Sequence, residues 1–247
     1  MNAQAALLPT RRDEAWRYTP APVLDALTAL PVAEQLAVAP GARQALHRTL
    51  AAGITTLSVT LGAGARLEAF FLLAGGGYRR LDLDLTLEQG AHFELGAVAV
   101  AREGDCAEVV TRVRHVAPEA TSSQLVRAVA AGNGVVNVLG RIDVARAGQR
   151  TDAALGVKGL LLGPRATINA KPELEIFADD VKCAHGCAIG QLDAAALFYA
   201  QQRGLPLEAA QALLVQAFAA EAFREASDDD ARTALESDAM AAIGGAL

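Results

Sequence analysis

Cys183, His185 and Cys187 alternate with small residues in the densest run of reactive side chains, 179–187, which also holds Asp179, Asp180 and Lys182. Thiolate and imidazole are the donors that soft and borderline metals take, iron–sulfur clusters and zinc among them. If the segment is extended, side-chain alternation puts all three on one face. Same-face neighbours on a strand stand roughly 6.5–7 Å apart. That is wide for three ligands on one ion and better suited to a cluster or a site shared across an interface. The spacing is also met by plainer residues, since a buried Cys commonly fills space and a lone His commonly serves as a hydrogen-bonded structural group. Cys106 has no His or Cys near it in sequence and reads as packing.

The common catalytic templates are missing. The chain has no G-x-S-x-G, no H-E-x-x-H, no P-loop and no C-x-x-C. Asp179-Asp180 could suggest glycosidic cleavage, but neighbours on a strand point to opposite faces and cannot flank one bond. Strand-end capping or an interfacial salt bridge is the expectation there. A net charge of −6 gives no basic surface for phosphate, and the pairs Arg11-Arg12 and Arg79-Arg80 extend into no patch, so no nucleic-acid partner is expected. No stretch approaches the ~20 apolar residues of a membrane span, and the N-terminus does not read as a secretory signal. Three cysteines, an odd number, argue against a disulfide framework and for a cytoplasmic location.

Three zones must position these residues. Residues 1–52 carry short helical patterns, such as 42–52, interrupted by five prolines. From about 54 to 185 the period changes to two, as in Arg80-Leu81-Asp82-Leu83-Asp84-Leu85-Thr86-Leu87, with glycine-rich breaks between short runs. Gly64-Ala65-Arg66-Leu67-Glu68 returns as Gly90-Ala91-His92-Phe93-Glu94, 26 residues later. Such spacing fits a β-helix, a sandwich or a barrel, and the pattern alone does not choose. Beyond Gly190 the period is helical: Asp193 caps one helix, Gly204 ends it, Pro206 opens the next, and Ser227-Asp228-Asp229-Asp230 precedes a last helix over 231–243. The triple Asp reads as a solvated helix start.

The run Lys171-Pro172-Glu173-Leu174-Glu175-Ile176-Phe177-Ala178-Asp179-Asp180-Val181-Lys182-Cys183-Ala184-His185-Gly186 resembles the signature of the SufB/SufD family of iron–sulfur cluster assembly proteins. Leu197-Phe198-Tyr199, Arg203-Gly204-Leu205 and Ala217 to Glu221 follow in the family's order. His115, Asn137, Gly140-Arg141-Ile142 and Thr151-Asp152-Ala153 fit upstream, and Glu14-Ala15-Trp16-Arg17-Tyr18-Thr19 resembles its N-terminal motif. The form Lys-Cys-x-His-Gly is closer to the SufD branch than to SufB.

The resemblance implies a mainly β protein: a right-handed parallel β-helix over 53–189, a short N-terminal helical segment over 1–52 and a C-terminal helical domain over 190–247. It implies a non-catalytic scaffold subunit that pairs through the β-helix edge with a SufB-like subunit or a second copy, and docks a SufC-type ATPase through its C-terminal helices. His185 and Cys183 would meet a transient iron–sulfur cluster at the subunit interface, with no cluster tightly bound. Partner contacts would fall to Asp179, Asp180, Leu197, Phe198, Arg203, Phe218 and Glu221. Cys187 stands where the family usually has a small residue, so it adds a third ligand or merely replaces one small side chain. The chain is also shorter than typical members. The rival readings are a purely architectural subunit and a carbohydrate-active β-helix enzyme.

Overall fold

The computed structural model describes residues 8–244. Twelve strands alternate between two sheets, so that each rung of a parallel β-helix takes one strand from each. β1 (Glu34–Val38), β3 (Gly53–Leu61), β5 (Tyr78–Leu87), β7 (Cys106–His115), β9 (Val135–Val144) and β11 (Thr167–Ile176) form the odd sheet. β2 (Arg43–Leu50), β4 (Arg66–Leu73), β6 (His92–Ala101), β8 (Thr121–Ala130), β10 (Asp152–Leu161) and β12 (Lys182–Gly190) form the even sheet. Every neighbouring pair is parallel. Arg66 lies opposite His92, so the 26-residue echo in the sequence is one rung of the solenoid.

Strand alternation sends one set of side chains inward. Leu57, Val59 and Leu61 stack on Leu83, Leu85 and Leu87, register partners one rung up, and Leu67, Phe71, Phe93 and Leu95 fill the opposite wall. Each such side chain contributes about 1.5–3 kcal/mol by leaving water. This layered aliphatic core explains how a chain with 4% aromatic residues folds. Before β4, β6, β8 and β10 the backbone turns through a left-handed residue, and these turns stack as well: Gly64, Gly90, Glu119 and Arg150 all have positive φ. Each donates its N–H to the rung above, Gly90 to Pro118 at 3.0 Å and Arg150 to Asp180 at 2.6 Å.

The outer face of the even sheet is covered by the C-terminal helices. Phe70, Leu72, Val98, Val100 and Val129 pack against residues of α3 (Leu207–Ala220) and α4 (Asp229–Gly244), and against Phe223 between them. α2 (Ala194–Gln202) precedes these two helices and has no buried residue. Asp193 caps it, accepting from Ala195 N at 2.8 Å, Gly204 leaves it at φ 93°, and Pro206 opens α3, as the sequence predicts. The triple Asp is a helix start, with Asp228 accepting from Ala231 N at 2.9 Å.

The outer face of the odd sheet carries the N-terminal strap, a 3-10 turn at Glu14–Trp16 followed by α1 (Ala21–Ala26). Residues 42–52 do not form a helix. Their Ala, Leu, Gln and Arg favour one, but β2 pairs residue for residue with β4 from Arg43–Arg66 to Leu50–Leu73, and pairing onto an existing sheet outweighs that weak preference. The sheets therefore begin at Glu34, inside the zone expected to be helical. No helix among the described residues is long and apolar enough to cross a membrane.

Candidate functional site at the open end of the solenoid

β11 and β12 are the last strands of their sheets, and each is hydrogen-bonded to a neighbour on one side only. Pro172 interrupts nothing here, because a strand paired on one edge tolerates a residue without an N–H. Register fixes which way β12 faces. Cys183 lies opposite Ala153, His185 opposite Leu155 and Cys187 opposite Val157, all three buried inward residues. Cys183, His185 and Cys187 therefore do share one face, and it is the inner one, at the mouth of the solenoid. Cys183 is half-buried, while His185 and Cys187 are exposed.

The lining of this mouth is apolar apart from His185. Ile168, Ala170, Leu174 and Ile176 face inward from β11, and Ile189 does so from β12. Burial pushes the Cys183 thiol up, with the carboxylate of Asp152 adding to it, and burial also raises Cys187. Both sulfurs are thus held as thiols, and ligation requires a positive charge or a metal to draw off the proton. Among the described residues no three His, Cys, Asp or Glu are grouped to hold a metal ion. The donor types suit iron and sulfide, but their linear arrangement leaves one chain unable to enclose an ion.

Asp179 and Asp180 sit in the loop between β11 and β12 rather than on a strand. The alternation of strand side chains therefore does not apply to this pair. The Asp180 carbonyl accepts from Arg150, and its N–H donates to Gln149 Oε1 at 3.0 Å, so this residue closes the stack of turns.

A family model described as the SUF system FeS cluster assembly SufBD core domain matches residues 41–218, from the first even strand nearly to the end of α3. The chain belongs to the SufBD family. It is 32% identical over 174 residues to the iron-sulfur cluster assembly protein SufD of Escherichia coli (strain K12), covering 70% of this chain and 40% of that protein. It is 45% identical over 105 residues to protein ABCI7, chloroplastic, of Arabidopsis thaliana, covering 42% of this chain and 22% of the relative. Similarity to the SufBD family protein slr0076 of Synechocystis is 31% over 169 residues, 68% of this chain and 37% of that one. The chain thus spans less than half the length of each of these SufBD relatives.

Other SufBD motif residues serve the interior. His115 faces inward, its Nε2 3.0 Å from the Ser122 hydroxyl, and burial lowers its pKa to about 4, so it is a neutral core residue. Gly140 is small because a Cβ there would stand 2.4 Å from Leu155 Cδ2. The partner residues expected from the family divide. Leu197 and Phe198 lie on α2, where Phe198 is 64% exposed, and Arg203 folds back onto Tyr199, donating to its hydroxyl at 2.8 Å. Phe218 and Glu221 are instead turned toward the even sheet. The buried Arg127 guanidinium lies 5.4 Å over the Phe218 ring and 2.7 Å from the Glu221 carboxylate, which it holds below the usual range. These two residues fasten the helices to the solenoid within one chain, a role beside the partner contacts expected of them. Arg127 was not foreseen: one Arg in an alternating strand carries no sign of burial.

Sequence reasoning also missed the polar cluster under the N-terminal strap. Arg80, Glu108, Asn137 and Asn169 are successive register partners across β5, β7, β9 and β11. Glu108, wholly buried, accepts from Thr19 Oγ1 at 2.9 Å, Tyr78 OH at 2.7 Å, Arg80 Nη1 at 2.9 Å and Asn137 Nδ2 at 2.7 Å. Trp16 covers this cluster, with the Arg80 guanidinium 3.8 Å from its ring centroid. The signal was present in the Glu14–Thr19 motif, but not the place where that motif lands.

Proposed function

We propose that this chain is a scaffold subunit for iron–sulfur cluster assembly that pairs through the open end formed by β11 and β12. His185 and Cys183 contribute to a transient cluster site completed by the partner, a SufB-like subunit or a second copy of the chain. The reading rests on one observation above all: three soft donors lie in a line on the inner face of an exposed, apolar mouth, too widely spaced to enclose an ion alone. Unpaired strand edges supply the main-chain hydrogen bonds for association. The cluster is cargo, and catalysis by this chain is not required. Exposed Phe198 and Tyr199 on the loosely held α2 offer an apolar surface for a SufC-type ATPase.

The test is co-purification with a SufB-type partner and a SufC-type ATPase, followed by anaerobic reconstitution. The complex is expected to gain iron–sulfur absorbance and to lose most of it in His185→Ala. A second reading, an architectural subunit that provides no ligand, draws support from the raised thiols and the absence of a three-donor group among the described residues. Equal reconstitution by the intact complex of the variant decides for it.

A further inference from the structure

The two ends of the solenoid differ at their inward positions. At the open C-terminal end those positions are apolar but for His185. At the N-terminal end Leu36, Val38, Leu46 and Leu50 are apolar as well, but two of the inward positions carry opposite charges. Glu34 on β1 lies opposite Leu57, and Arg48 on β2 lies opposite Phe71, both fully buried core residues, so Glu34 and Arg48 point along the same inward rows. They meet across the mouth in a two-pronged ion pair, Arg48 Nη1 to Glu34 Oε2 at 2.7 Å and Arg48 Nη2 to Glu34 Oε1 at 2.7 Å. Pairing holds the Glu34 carboxyl below its usual range and raises Arg48. The carboxylate side chain is half exposed and the guanidinium a third, so the pair contributes little to stability. Its position asks for another explanation.

A parallel solenoid with two bare ends can add copies head to tail without limit, since each joint leaves the same two surfaces free. Inward-pointing charge on a terminal strand blocks such growth, because continuing the core over it would bury the charges. We propose that the Glu34–Arg48 pair is an end cap that closes the N-terminal mouth to a second copy of this chain and confines association to the β11–β12 end. The proposal concerns assembly alone and stands or falls apart from the cluster reading.

The experiment is sedimentation velocity and light scattering on the full chain over a concentration series, comparing wild type with E34L/R48L. Wild type is expected to reach a limiting mass of no more than a closed pair. The double variant is expected to pass that limit, its mean mass rising at least about twofold and continuing to grow with concentration. The charge swap E34R/R48E keeps the pair and is expected to behave as wild type. Should E34L/R48L not fold, E34Q/R48M conserves volume without charge and carries the same expectation. A folded uncharged variant that stops at the wild-type mass overturns the proposal, and so does open-ended growth of the swap.

Discussion

Replacing Glu108 by Ala tests how the N-terminal strap is held. The carboxylate receives four hydrogen bonds and faces a guanidinium, with both side chains at 1% exposure or less. Removing one partner of a buried ion pair costs about 3–5 kcal/mol, because the remaining charge stays buried. Arg80 keeps Asp82 at 2.9 Å and the Ala15 carbonyl at 2.8 Å, which places the loss toward the lower end of that range. With a urea slope near 3 kcal/mol/M, the midpoint should fall by about 1 M. Glu108→Gln retains shape and one acceptor and should lose about half as much. Trp16 is the only tryptophan and lies on Arg80, so its fluorescence reports the strap, while circular dichroism reports the sheets. In Glu108→Ala the fluorescence transition should move ahead of the dichroism transition. Coincident transitions, or a loss under about 1 kcal/mol, refute the claim that this carboxylate fastens the strap.

Gly96→Ala should loosen the C-terminal helices, since the new Cβ would stand 1.9 Å from the Ala222 carbonyl oxygen and 2.5 Å from Phe70 Cδ1. A cost of about 1–3 kcal/mol or more is expected, with faster proteolysis between solenoid and helices, and unchanged cleavage and melting would contradict it. Burial raises the Glu94 carboxyl to about 7, with Glu225 and Glu68 adding and the Ser123 hydroxyl opposing. Its folded pKa thus lies above the ordinary 4.5, so the unfolded chain releases this proton first and stability falls as pH rises from 4.5 to about 7. Glu94→Gln should flatten that slope in melts across the interval, and identical slopes in the two proteins would rule the assignment out.

Much of this was legible in the residues. Alternation over 80–87 gave the correct face of β5, and the echo between Gly64 and Gly90 was a true rung because the stacked turns demand the same left-handed backbone at each copy. The alternation of Cys183, His185 and Cys187 also held, though not that their face is the inner one; that depended on register with β10, which local sequence does not contain. The residues of β2 favour a helix on local propensity, and the sheet pairing that overrides it is not local. Phe218 and Glu221 lie at helix spacing, and spacing identifies a face without saying which surface it meets. Arg80, Arg127 and Glu108 are charged residues in alternating strands, ordinarily solvated, and become buried only because the strap and helices cover them.

Contacts in this solenoid run chiefly between adjacent rungs, so the sheets behave as a one-dimensional stack in which order spreads from the middle outward. Interior rungs are held from both sides, the first and the last from one. β11 and β12, like β1 and β2 at the other end, therefore open at a lower free energy than the rungs between them, and fraying at this end reaches the place where the sulfur and imidazole donors lie. Anything that pairs with this edge also completes its folding. On the proposed reading, loading a cluster and gripping a partner strengthen each other by the same factor, and handing the cluster on loosens the grip.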